Sequence, residues 1–420
     1  IYIPIVETND IHGKFFPKIN KFYYKGKEII YKTGGLEYVA KYINILRKEY
    51  GKDRVLYLDS GDYFHGNLES YLSDGEIIID YFNLIGLNAT TLGNHEFLYE
   101  SSWMIEKIKK FNFQLVANNI KEKSTNKRGG FFGKNHETSH LYEMKLDNGD
   151  KIKIGVIGLS CDVENDKKVL EINRYREYWE NITFIPQLEG LEEESNKLRK
   201  KGANAVILIA HSGKKREKTF SKTFQILENS LKYNENCDGN DEFSFLCKFI
   251  YQLKPGIIDA IIAGDTHNSI HHWINDIPVV CSNDGWKYVN VLYLPFKKVN
   301  KEYILVNKEI KIEGALPACE KIFKNYKNCE PIKSDEYLQA GELINYEWHG
   351  KKIKRDNIIK PIYTKYYKEY KSYDRLIVSK FIGFDNITKI DNTGDSMLGN
   401  LFLDAIKKIS KSDFSIMNQN

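Results

Sequence analysis

No apolar run in the sequence approaches the ~20 residues that a membrane-spanning helix requires, which excludes a helical membrane anchor within these residues. No secretory leader is visible either: the chain opens at Ile1 directly in strand-like sequence, as a mature or trimmed polypeptide would. No CxxC pair occurs, so a cysteine-built zinc site is not expected. There is also no basic stripe interleaved with aromatics. The 62 Lys and Arg face 57 Asp and Glu, and the net charge of +5 is spread over solvated faces, which argues against nucleic acid as a partner. What remains is a chain of 420 residues, long enough for a full-sized core and part of a second domain. Its 42% hydrophobic and 13% aromatic content, with 28 tyrosines, excludes general disorder.

The six cysteines bear on the compartment. Cys237 and Cys247 lie ten residues apart in a polar stretch, as do Cys319 and Cys329, and such short separations favour local disulfides. Cys161 and Cys281 follow the apolar runs IGVIGL and IPVV, which would bring both to one edge of a sheet. Spacing alone does not choose a connectivity, and six buried thiols in a cytosolic protein is the competing picture. Sequons stand at Asn88, Asn181 and Asn386, with Asn88 placed too near a strand of interest to be a good glycan site. The expectation is a secreted, cell-surface or otherwise extracytosolic glycoprotein.

The chemistry is concentrated in five short polar clusters. They are Asp10-Ile11-His12, Asp62 within DSGD, Asn94-His95-Glu96, His211 within AHSG, and Asp265-Thr266-His267. Each follows an apolar segment, respectively IPIV, VLYL, LNATTL, AVILIA and AIIA, that reads as a short buried strand. In an open α/β sheet functional groups gather outside the carboxyl ends of the strands, so the five clusters should converge. Carboxylates, imidazoles and one amide, with a carboxylate free to bridge, are the donor set of a site for two divalent cations. One Asp-x-His alone would more often be an ordinary turn. The five in series point to two-metal phosphoester hydrolysis.

These motifs resemble those of the calcineurin-like metallophosphoesterases, and the longer stretches VETNDIHGKFFP, YLDSGDYFHGN, ATTLGNHEF and DAIIAGDTH resemble the 5'-nucleotidase family within them. The resemblance implies a layered α/β fold, a β-sandwich flanked by helices, and two divalent metal ions, Zn, Mn or Mg. It places one metal on Asp10, His12, Asp62 and His267 and the other on Asp62, Asn94, His211 and Asp265, with Asp62 bridging. It implies attack on phosphorus by a hydroxide that the two metals activate, with His95 as the catalytic non-ligand histidine and Asn94 and His95 contacting a nucleotide phosphomonoester. A 2',3'-cyclic nucleotide phosphodiesterase with 3'-nucleotidase activity is the neighbouring alternative. A weak or inactive member serving as a binding scaffold is the alternative from another class. Two departures favour the last. Asp265 stands where the family usually has histidine, a harder donor that favours Mn²⁺ or Mg²⁺. Leu98 stands where it usually has the aspartate that hydrogen-bonds the catalytic histidine.

Along the chain, residues 1–315 alternate strand-like and helix-like segments, including amphipathic stretches at Leu36–Ile45 and Ile77–Leu84, and form the expected metallophosphoesterase domain. Residues 316–375 are rich in Lys, Tyr and Glu and read as a linker whose helix carries Ile359, Ile362, Tyr366 and Tyr370 on one face, with Pro361 in its first turn. Residues 376–420 resemble the beginning of a C-terminal nucleotide-binding domain, with MNQN replacing the usual N-G-G. The family's base-binding aromatics are expected beyond Asn420. The glycine-rich stretch 127–140 is expected as an exposed loop, with a lid as the functional alternative. His65 is the best further candidate to line the pocket, whereas His271 and His272 read as strand-edge surface.

Overall fold

A computed structural model describes residues 1–161, 178–212, 245–330 and 340–373. The chain divides into two compact units, Ile1–Lys368 and Glu369–Asn420. The fold of the first follows from apolar runs that are buried on both faces, the pattern of parallel strands between covering layers. Strand Tyr2–Thr8 pairs in parallel with Leu56–Asp59, and the sheet continues in parallel through Ala89–Thr90, Gln114–Val116 and His136–Glu137. On its other side Tyr2–Thr8 lies antiparallel to the long strand Tyr288–Val299, which also carries Glu302–Leu305 and Lys311–Pro317. The second sheet runs Ser269–Ile274, Ile277–Ser282, Ala260–Ala263, Ala205–Ala210, Lys151–Leu159 and Ser139–Lys145, with its four inner strands parallel.

The two sheets stack face to face. Ile3, Ile5, Leu56 and Leu58 from one meet Ile154, Val156, Ile207, Ile209 and Ile262 from the other in one buried cluster. Each such side chain contributes roughly 1.5–3 kcal/mol by leaving water. Successive residues alternate faces, so Val206, Leu208 and Ala210 belong to a second cluster with Leu191 and Leu198 of helix Leu191–Lys200 and Phe249 and Ile250 of helix Phe245–Gln252. The outer face of the first sheet is covered in the same way: the Tyr57 ring lies 6.2 Å from Phe82 of helix Glu76–Ile85. Gly158 stands where strand Lys151–Leu159 passes close to Val116 of the first sheet. A Cβ there would run into the Val116 carbonyl and stand 2.8 Å from its Cγ2, while the Gly158 carbonyl accepts from the Asn118 N–H at 2.7 Å. The layered α/β sandwich flanked by helices is the expected architecture, and the five strands that carry the polar clusters are all present.

Helices Leu36–Tyr50 and Glu76–Ile85 occupy the amphipathic stretches, and helix Lys360–Tyr373 buries Ile362 and Tyr366 with Ile359 just before it. Cys319 and Cys329 form a disulfide. Cys237 and the Cys247 side chain lie outside the described residues, as do Asn386, residues 376–420 and the His272 side chain. Cys161 and Cys281 both stand near the carboxyl ends of parallel strands but are separate, buried thiols. Two strands intervene between theirs, a span of about 14 Å at the usual inter-strand spacing and far beyond disulfide reach. The 127–140 stretch is not a wholly exposed loop. His136–Glu137 extends the first sheet, Phe132 and His136 are buried, and Phe132 packs near Trp179. His271 lies on the edge strand of the second sheet.

Candidate metal centre

Past their last paired residues, the first two site loops stay zipped together. The Asp10 N–H donates to the Gly61 carbonyl at 3.0 Å, the His12 N–H to Asp62 at 2.8 Å and the Gly13 N–H to Tyr63 at 3.0 Å. This continuation turns the backbone sharply. Asp10, His12, Asp62, Asp265 and His267 all take the left-handed conformation, with φ of 48°, 51°, 59°, 75° and 52°. Non-glycine residues adopt it at a cost, least for Asp, Asn and His, and such strain gathers at functional sites. The local fold therefore spends conformational energy to aim these side chains inward.

Asp10, His12, Asp62 and His267 each present one donor atom, and the four atoms lie within 4.8 Å of one another. His12 Nε2 is 3.9 Å from both Asp10 Oδ1 and Asp62 Oδ2, and His267 Nε2 is 3.4 Å from Asp10 Oδ1 and 2.8 Å from His12 Nε2. A second group adjoins through Asp62. His211 Nε2 stands 3.3 Å from Asp62 Oδ2, 3.1 Å from Asn94 Oδ1 and 3.8 Å from Asp265 Oδ1. Donors about 2.1 Å from a shared ion stand about 3.0–3.4 Å apart at octahedral or tetrahedral angles, so these spacings suit cations with little rearrangement.

Hydrogen bonding sets the imidazoles for the same task. His211 Nδ1 donates to the Ser60 carbonyl at 2.7 Å and His12 Nδ1 to the His65 carbonyl at 3.1 Å. Since a carbonyl only accepts, the neutral form of each ring has its lone pair on Nε2, turned toward the carboxylates and available to a cation that displaces the proton. The charge of the pocket makes the same demand. Glu7, Asp10, Asp59, Asp62 and Glu96 are all buried. Burial pushes Glu7 well up, Asp59 to about 8 and Glu96 to about 7. Burial acts on Asp62 in the same sense, yet His211 and the other imidazoles outweigh it and hold that carboxyl below its usual range. His211 is the mirror case, burial disfavouring its charge and Asp62 raising it overall. A concentration of buried carboxylates calls for compensating positive charge, and the donor set fits divalent cations.

All seven ligand candidates thus come together, and His95 lies beside them: its N–H donates to Asp62 Oδ1 at 2.8 Å, and its ring meets that of His12 edge-on at 4.8 Å. Burial lowers the His95 imidazole to about 4. Leu98 closes the 3₁₀ turn His95–Leu98 and is half-buried. The residue whose role the sequence did not reveal is Glu96. Its carboxylate accepts the N–H groups of Asp62, Tyr63 and Gly93 at 2.8, 2.9 and 2.8 Å and so ties the loops of the second and third clusters together. Its place inside GNHE was the available signal.

Comparison with known proteins agrees with this geometry. The model of the calcineurin-like phosphoesterase family matches residues 3–269. The trifunctional nucleotide phosphoesterase YfkN of Bacillus subtilis is 27% identical over 347 residues, 75% of this chain and 21% of its own length. The snake venom 5'-nucleotidase of Gloydius brevicauda is 27% identical over 212 residues, 50% of this chain and 33% of its own. This chain therefore spans a third or less of either relative. The crystal structure of a 5'-nucleotidase precursor from Thermus thermophilus superposes with a TM-score of 0.60 at 17% identity, covering 98% of this chain and 67% of that one, a likeness of fold. With the family match extending over the strands that carry all five clusters, and the donors of a metal site converging at their ends, the chain belongs to the calcineurin-like phosphoesterases.

Proposed function

We propose that this chain hydrolyses nucleotide phosphomonoesters in the manner of a 5'-nucleotidase. The observation that carries the proposal is the convergence of Asp10, His12, Asp62 and His267 with His211, Asn94 and Asp265 at one end of the sandwich. In this reading Asp10, His12 and His267 hold one divalent cation, Asn94, His211 and Asp265 hold the other, and Asp62 is shared. When bound, such a pair lowers the pKa of water and screens the charge of a phosphoryl group. The protein's own part is orientation and proton handling. Asn94 orients the phosphate, and His95 stabilises the transition state or protonates the leaving oxygen. Asp265, a hard donor, turns the preference toward Mn²⁺ or Mg²⁺ over Zn²⁺.

The snake venom relative and the Cys319–Cys329 disulfide support an extracytosolic compartment. Residues 316–375 act as the linker and 376–420 open a second, nucleotide-binding domain in this reading. A second reading, cleavage of 2',3'-cyclic nucleotides with 3'-nucleotidase activity, is supported by the likeness to a trifunctional nucleotide phosphoesterase over 75% of the chain. The test is phosphate release from 5'-AMP, 3'-AMP and 2',3'-cyclic AMP after chelation and after reloading with Mn²⁺, Mg²⁺ or Zn²⁺, with metal content measured by elemental analysis. Metal-dependent turnover of 5'-AMP is expected. Turnover confined to the cyclic ester would select the second reading, and a metal-loaded protein silent on all three would mark a scaffold.

A further inference from the structure

We propose that His65 is the positioning residue for His95, pairing with it ring to ring where the neighbouring turn offers only the hydrocarbon of Leu98. The inference deepens the hydrolase reading and rests on it for its kinetic arm. His95 Nδ1 lies 3.0 Å from His65 Nδ1, and the two rings have centroids 5.0 Å apart and planes 23° from parallel. Two imidazole nitrogens at that distance share one proton, one ring donating and the other accepting. If His95 Nδ1–H donates, His65 carries its own proton on Nε2, and Nε2 of His95 is left to exchange a proton with substrate. A histidine that must present one defined nitrogen to substrate needs its other nitrogen tied in this way.

His65 is itself held. Its carbonyl accepts from His12 Nδ1 at 3.1 Å, and Asn67 Nδ2 donates to the His12 carbonyl at 2.7 Å. Gly66 lets the strand of chain pass close by, since a Cβ there would stand 2.9 Å from His12 Cβ. On its outer side Tyr99 meets the His65 ring edge-on at 6.3 Å and is in turn stacked on Trp103 at 4.1 Å. One residue thus orients two histidines, His12 through its backbone and His95 through its ring. Leu98 makes the pairing necessary. In the 3₁₀ turn His95–Leu98, three residues per turn set the side chains of positions 95 and 98 over one another, yet leucine has no acceptor. A neutral imidazole replaces the orientation that a carboxylate at 98 would give, though not its negative charge.

The experiment compares His65→Ala, Leu98→Asp and the double variant with the wild type, all loaded with Mg²⁺. The kinetic arm reads kcat and KM on 5'-AMP beside metal content. His65→Ala should lower kcat about 10- to 100-fold, with KM and metal content nearly unchanged, and Leu98→Asp should restore most of it in the His65→Ala background. The second arm reads the ring nitrogens of His95 by long-range ¹H–¹⁵N correlation, which needs no turnover. A single Nδ1–H tautomer is expected in the wild type, a tautomer mixture in His65→Ala, and a single tautomer again in the double variant. A wild type without turnover refutes the hydrolase reading alone, because the tautomer arm still decides the pairing. Unchanged His95 nitrogen shifts in His65→Ala, or a loss of kcat that Leu98→Asp fails to rescue, overturn the role of His65.

Discussion

Gly93→Ala should disable the centre without touching a ligand. Gly93 is not in the left-handed region, so alanine is conformationally acceptable and the effect is one of space. A Cβ at this position would fall inside the Asp62 carboxylate and stand 2.6 Å from the Asp62 backbone nitrogen. Asp62 therefore has to move, and with it the bond that Oδ1 accepts from the His95 N–H at 2.8 Å. Overpacking of this kind costs about 1–3 kcal/mol, and a lost hydrogen bond to a charged group about 1.5–3 kcal/mol, so roughly 2.5–6 kcal/mol is expected together. Guanidinium unfolding of the metal-free protein reads the stability, and elemental analysis after dialysis reads the metal. The variant should lose bound metal along with stability. The double variant Asp62→Ala/Gly93→Ala should be less than additive by about 0.5–3 kcal/mol, because much of the clash is with the side chain removed. A Gly93→Ala protein that unfolds within about 0.5 kcal/mol of wild type and keeps its metal would refute the reasoning.

Asp62→Asn should abolish phosphate release and strip metal from both halves of the centre, measured by turnover and elemental analysis; retention of two tightly bound ions would contradict the shared-ligand role. Asp265→His should shift the metal giving the highest turnover toward Zn²⁺, read by titrating the chelated protein with Zn²⁺ and Mn²⁺. Replacing Cys319 and Cys329 together by serine should cost about 2–3 kcal/mol in the chain-entropy picture of a ten-residue separation, seen as a lowered unfolding midpoint, with metal content unchanged. Expressed in a secretory host, the protein should carry glycan at exposed Asn181 and not at Asn88, whose Oδ1 accepts from the Tyr57 N–H at 2.9 Å; peptide mapping decides.

The strands that deliver the centre were legible because a strand buried on both faces is an unbroken apolar run, and AVILIA occupies Ala205–Ala210 entirely. LNATTL shows the limit of that signal. Only Ala89–Thr90 is paired as strand, since the chain leaves the sheet before reaching Asn94. The donors could be read from residue type and order, whereas what orients them could not. Glu96 binds backbone N–H groups from two loops, and no periodicity encodes such a contact. The His65–His95 pair joins residues thirty apart whose approach depends on the packing of both loops. Cys161 and Cys281 looked like neighbours because sequence shows which end of a strand a residue occupies but not how many strands lie between. Phe132 and His136 were hidden in a stretch whose glycines suggested exposure, although Gly129, Gly130 and Gly133 serve to turn the chain so that these two side chains reach the interior.

The left-handed backbone at Asp10, His12, Asp62, Asp265 and His267 also restricts how such a centre can change. A substitute there must satisfy two filters at once, coordination and conformation. Cysteine and glutamate pass the first but lack the short polar side chain that makes a left-handed turn tolerable, and valine and isoleucine fail both. What is left is a small alphabet of aspartate, asparagine and histidine, with few others. Asp265, standing where histidine is usual in the resembling proteins, is an exchange within that alphabet. Drift at this centre is thereby channelled into alterations of metal preference before it can become loss of the metal, and new specificity has to arise from residues such as His65 that surround the ligands and are free of the backbone constraint.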